Sequence, residues 1–131
     1  DHSSDDTTRE VMDRYAADPR VTLLTTEAGG GAGRNWNAVT AAARGTYLKL
    51  VCGDDLLLPG VLARQAALLQ TGAVLTACRR NVVDSSGNVL MKDWGLRGVS
   101  RPRPGARAVR TAVRAGSNPF GEPASVMMVR E

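Results

Sequence analysis

Histidine is almost absent from this sequence: His2 is the single one. A zinc cage, which draws on several His and Cys ligands, is therefore poorly supported. Cysteine is nearly as scarce. Cys52 and Cys78 sit in apolar, strand-like runs without CxxC spacing, so a reduced intracellular pair is expected rather than a disulfide framework. The aromatic residues are Trp36, Trp94, Tyr15, Tyr47 and Phe120, too few and too scattered for the interleaved stacking platform of a single-strand nucleic-acid binder. No apolar run approaches the roughly 20 residues of a membrane span, and the acidic opening DHSSDD is unlike a signal peptide.

What remains is an ordinary globular composition, 43% apolar and 23% charged over 131 residues, the size of one domain. Its charges are unevenly spread. Residues 1–60 carry 6 basic and 9 acidic groups, and residues 61–131 carry 11 basic and 4 acidic ones. Such a split suits an anionic ligand held between an acidic, metal-binding edge and a basic flank, and equally a nucleic-acid surface.

Along the chain, Thr7 and Glu10 have capping-box spacing, so a helix is predicted from Thr7 to a stop before Pro19. RVTLLTT (residues 20–26) reads as a buried strand followed by the glycine loop EAGGGAG, and Asn35 or Asn37 is the expected cap of a helix through Ala43. TYLKLVC is a second strand. Pro59 stands where a helix would take its first residue, with Val61, Leu62, Gln65, Leu68 and Leu69 on its inner face. AVLTACR is a third strand, SSGN a turn and VLMK a short returning strand. Pro104 opens a helix with Ala106, Val109 and Val113 inward and Gly116 as its end, and ASVMMVR is a last strand. Alternating helices and strands predict an α/β fold: a mainly parallel sheet with helices on both faces, in three layers. No strand precedes the opening polar turn, so the first strand of such a sheet is expected to be missing and the sequence reads as an excerpt.

Four features carry chemistry. The glycine loop lacks the third glycine of a dinucleotide fingerprint, Arg34 standing in its place, and it has no Walker lysine; Arg34 instead suits a phosphate or a base edge. Asp54 and Asp55 end an apolar run at the strand edge where α/β sheets bind ligands. Two adjacent carboxylates call for open water or a cation: the alternatives are a solvated turn with an Asp capping the next helix, or a Mg²⁺ or Mn²⁺ site completed by substrate phosphates. Arg97, Arg101, Arg103, Arg107, Arg110 and Arg114 form a basic stretch without an acidic residue, readable as a solvated helix face or as a binder of nucleic acid or another anionic polymer. Glu122, in NPFGEPAS, is a candidate general base or simply an exposed loop carboxylate.

DHSSDDTTREV is similar to the acidic turn after the second strand of family 2 glycosyltransferases. GRNWNAVTAAARGTYLKLVCGDDLLLPGVLARQ resembles their block with an Asn-rich helix start, an Asp-Asp motif and a Leu-x-x-Pro helix entry, and NPFGEPASVMMVRE resembles their Gly-x-Pro-Ser strand segment. The resemblance covers nearly the whole chain in the right order.

It implies a glycosyltransferase A fold of the nucleotide-diphospho-sugar transferase type, and transfer of a sugar from a nucleotide-diphosphate donor to a saccharide, lipid-linked or protein acceptor. Inversion, a divalent Mg²⁺ or Mn²⁺ and a hexosyltransferase-like activity in glycan or polysaccharide synthesis are part of the implication. Residue by residue, Asp1 matches the base contact, Asp54 the ribose or metal contact and Asp55 the metal carboxylate, while Arg34 lies in the loop bordering the base. Cys52 stands where many members carry a further Asp. Residues 1–131 would be a partial catalytic domain, the nucleotide-sugar half with the start of the acceptor region. Its general base would lie beyond Glu131, and whether the excerpt alone is active stays open. A cytoplasmic protein, with or without peripheral attachment to the inner face of a membrane, is implied. Two rivals stand beside this reading: a non-catalytic nucleic-acid or anionic-polymer binder using residues 97–114, and a nucleotidyltransferase releasing pyrophosphate.

Overall fold

The computed structural model describes residues 7–27, 29–95 and 101–130, and the chain divides into two compact units, Asp1–Arg44 and Gly45–Glu131. The first holds α1 (Thr7–Asp13) and α2 (Gly31–Ala42). An i,i+4 ion pair between Arg9 and Asp13, 2.9 Å long, supports α1, which ends well before Pro19. The expected strand over residues 20–26 does not form. A strand needs a ladder partner, and among the described residues of this unit there is none, so Val21 and Leu24 stay partly exposed in an irregular segment. α2 starts earlier than expected, at Gly31 rather than after Asn35 or Asn37. The glycine run itself enters the helix, with Gly30 as an N-cap that has no side-chain cap bond.

The second unit is built on a three-stranded sheet of β1 (Tyr47–Leu48), β2 (Leu75–Ala77) and β5 (Val126–Val129), in the order β1-β5-β2. β5 is antiparallel to both neighbours, pairing Tyr47 with Val129 and Thr76 with Met127. Further bonds lengthen both ladders, from Arg130 N–H to Thr46 O and from Cys78 N–H to Ser125 O, each 2.9 Å. The outer strands β1 and β2 therefore run the same way and are joined through α3 (Val61–Gln70). Every ladder among the described residues is nevertheless antiparallel, a departure from the mainly parallel sheet expected from the order of elements. The physical reason is that β5 slots between two strands that a βαβ crossover would otherwise place side by side.

α3 lies over β2 and β5. Among the described residues, Leu69 on α3 and Met127 on β5 are the buried apolar side chains, and Gln65, Thr76 and Ser125 the buried polar ones. Gln65 and Leu69, four apart, share one helix face. Leu62 and Leu68, expected to face inward, are 49% and 54% exposed, so the apolar stripe is narrower than the sequence suggests. Pro59 is not the first helical residue: a turn from Leu58 O to Val61 N–H, with Gly60 in the left-handed region, precedes the helix.

β3 (Arg80–Val83) and β4 (Val89–Trp94) form a separate antiparallel hairpin, longer than the expected VLMK strand and bulged around Asp93. Asp93, at φ 54°, takes the left-handed conformation there, and its N–H is held by Asn81 Oδ1 at 3.1 Å. α4 (Gly105–Ala115) begins after Pro104 and closes on left-handed Gly116, as expected. Its valines do not turn inward: Val109 is 58% exposed and Val113 75%.

Candidate functional site

After Leu48 the chain leaves the ladder with β5, and a side chain takes over the connection. Lys49 sends its ammonium to Ala124 O at 2.5 Å, to Val126 O at 3.4 Å and to Gln65 Oε1 at 2.7 Å. Gln65 Nε2 in turn donates to Ser125 O at 3.0 Å. Three successive carbonyls, where the 3-10 turn Pro123–Ser125 passes into β5, are thus clamped by one lysine and one glutamine. Burial, more than anything else, holds the Lys49 ammonium below its ordinary pKa; the neighbouring Cys78 and Asp55 act in the opposite sense. In the sequence, the sign of this clamp is a single lysine within the apolar run TYLKLVC.

The clamp holds the segment after β1 that leads to the acidic pair. Residues 52–55 then make a tight turn, closed by a 3.1 Å bond from Asp55 N–H to Cys52 O. The turn folds Cys52 back onto both carboxylates, so that one donor atom each from Cys52, Asp54 and Asp55 lies within 4.8 Å of the others. Asp54 is exposed, while Cys52 and Asp55 are half-buried. Neither carboxylate caps α3, whose N-cap Gly60 receives no side-chain bond; that removes the helix-capping alternative. Burial chiefly, then the charges of Asp55, Asp54 and Glu122, push the Cys52 thiol above its ordinary pKa. Both cysteines are free.

Glu122 is close enough to add its charge to that field, and it is not solitary. Arg80 Nη2 reaches Glu122 Oε1 at 3.2 Å, and the same guanidinium lies over the Trp94 ring, 4.8 Å from its centroid. Gly121 makes this packing feasible, since a Cβ there would stand 2.5 Å from Arg80 Nη1.

The other predicted site residues fall elsewhere. Arg34 belongs to the first turn of α2 rather than to a loop, and its guanidinium is engaged with Glu27 at 2.9 Å. Asp1 lies outside the described residues, as does Arg97. Arg107, Arg110 and Arg114 share one side of α4.

The order of these segments is that of a known family. The whole chain, residues 1–131, matches the family model described as Glycosyl transferase family 2. The chain belongs to glycosyl transferase family 2. Membership assigns glycosyl transfer as the class of activity, and it implies the glycosyltransferase A fold, a nucleotide-sugar donor and an acceptor. No curated protein and no solved structure matches the chain.

The family commonly uses divalent cations, and the donor set here can be tested for fit. Opposite ligands of an octahedral Mg²⁺ or Mn²⁺ stand about 4 Å apart, so a cluster spanning 4.8 Å needs only a small side-chain adjustment to share one ion. Two carboxylate oxygens suit such hard cations; the thiol is the softer, less natural third donor. The residues fit the ion. Among the described residues, no helix is long and apolar enough to cross a membrane.

Proposed function

We propose that this member of the family transfers a sugar from a nucleotide-diphosphate donor with inversion, assisted by Mg²⁺ or Mn²⁺ held by Asp54 and Asp55. The observation that carries the reading is the Cys52–Asp55 turn, which gathers its three donors four residues after β1. When bound, the ion supplies positive charge against which a leaving diphosphate is stabilised.

The chain's own residues supply position. Lys49 and Gln65 hold the turn's strand against the segment that carries Glu122. Asp54, the more exposed carboxylate, has room to serve a donor ribose as well as the ion, and half-buried Asp55 is the better-fixed metal ligand. In the same reading Asp1 and Arg34 serve the nucleoside base, and Arg34 exchanges Glu27 for the donor. A hexose donor and a glycan or polysaccharide product belong to this proposal. Glu122 is the poorer candidate for general base, because its carboxylate is already paired with Arg80 at 3.2 Å.

Asp55→Ala should abolish Mn²⁺ binding, followed by electron paramagnetic resonance, and lower sugar transfer at least a hundredfold, while Asp54→Ala leaves residual ion binding. Full turnover in Asp55→Ala would remove the metal assignment. Release of pyrophosphate in place of a nucleoside diphosphate would point to nucleotidyl transfer.

A further inference from the structure

α4 has an unusual combination of neighbours and exposures. It packs on no element to the extent that α3 packs on β2 and β5. Its half-buried positions are the small residues Ala108 and Ala112, one turn apart. The next strip around the helix is Val109 and Val113, 58% and 75% exposed. Beyond it come Arg110, Arg114 and Arg107, within an arc of about 60° at 3.6 residues per turn. These three arginines border a shallow recess of about 490 Å³ together with Pro104, Ala106 and Thr111.

None of the three joins the ion pairs found among the described residues, which use Arg9, Arg20, Arg34, Arg79 and Arg80. Arg101 and Arg103 precede the helix, both exposed, and residues 97–114 contain no acidic side chain. An uncovered apolar ridge therefore runs beside an uncompensated basic one.

We propose that α4 is a membrane-surface element that docks on an anionic phospholipid bilayer. Val109 and Val113 enter the boundary between headgroups and acyl chains, and Arg107, Arg110 and Arg114 lie along the lipid phosphates. The two ridges match the two layers of such a surface: apolar side chains gain from leaving water, and long arginine stems let their guanidinium groups reach back to the headgroups. Charge complementarity selects this occupant over others. A second copy of α4 would set arginines against arginines. A nucleic acid would satisfy the arginines and leave both valines in water, and α4 offers no aromatic ring on which a base could stack. The inference is independent of the reading of the Asp54–Asp55 site.

The test is cosedimentation of the protein with lipid vesicles of phosphatidylcholine alone or of equal parts phosphatidylcholine and phosphatidylglycerol. The mixed vesicles should pellet the protein, neutral ones should not, and added salt should weaken binding. Arg107→Ala/Arg110→Ala/Arg114→Ala should lower partitioning by about fivefold per arginine, on the order of a hundredfold together. The corresponding triple lysine variant should retain most of it, which separates charge from loss of folding. Val109→Ser/Val113→Ser should weaken it several-fold with an unchanged circular dichroism spectrum. Equal pelleting by both vesicle types, or by neither, overturns the proposal. So does a valine variant that binds as well as the parent while a single-stranded oligonucleotide displaces the vesicles, an outcome that would make α4 a polyanion surface.

Discussion

Lys49 ties the segment before the acidic turn to the start of β5. Even a half-buried ammonium is costly unless its hydrogens are taken up, and here two backbone carbonyls and the Gln65 amide oxygen take them. Gln65 matters as much, since it accepts from Lys49 and donates to Ser125 O while being almost fully buried. Gln65→Ala should lower stability by about 1–3 kcal/mol, the cost of leaving a buried donor and acceptor unmet, and urea denaturation measures it. A loss below about 0.5 kcal/mol would mean that water replaces the amide without penalty. In the sequence Gln65 is visible only as a helix-face position, because a polar residue among apolar ones does not announce what it will bind. Asp54 and Asp55 were legible because adjacent carboxylates at a strand end are costly. The approach of Cys52 was not: it depends on the backbone turn that joins Cys52 O to Asp55 N–H.

Among the elements, the β3–β4 hairpin shows how local chemistry sets a boundary. Asp84 accepts from Ser86 N–H at 2.9 Å, from Asn88 N–H at 2.8 Å and from Asn88 Nδ2 at 3.0 Å, tying the SSGN turn to the strand before it. Those bonds, the Asn88 side chain first among them, hold the Asp84 carboxyl below its ordinary pKa. A carboxyl lowered on folding stabilises the hairpin above its ordinary value and ceases to do so as pH falls through the lowered one. Acid titration followed by nuclear magnetic resonance should therefore show the Ser86 and Asn88 amide signals moving together, with a midpoint below the 3.8 of an unperturbed aspartate. A midpoint at or above 3.8 would mean that the turn does not favour the ionised form. The hairpin turn, α3, α4 with its Gly116 stop, and β5 could be read from turn residues and apolar spacing. The segment 20–26 could not, because a short apolar run expresses a preference for a strand, and only a partner makes one. The inward face assigned to Val109 and Val113 failed for a related reason: periodicity marks an apolar stripe without saying what covers it.

At the scale of the molecule, the Gly45–Glu131 unit carries two separate charged features, a donor turn at residues 52–55 and an arginine face on α4. Family membership and class of activity were legible from the order of motifs, while the antiparallel setting of β5 was hidden, since strand order is fixed by long-range pairing. That pairing has a direct test. A chain ending before Val126 should lose the three-stranded sheet as a whole while keeping the locally paired β3–β4 hairpin, seen as lost β-signal and faster proteolysis near Tyr47 and Leu75. Retention of protected β1 and β2 in that truncation would show that they pair without β5.

Tyr47 waits for Val129. On a ribosome adding roughly 5–20 residues per second, β1 and β2 emerge with bare edges, and several seconds pass before the strand that satisfies both is made. The nascent chain thus stays adhesive until β5 has emerged, and a chaperone holding the segment from Tyr47 to Ala77 would protect the edges that β5 later occupies.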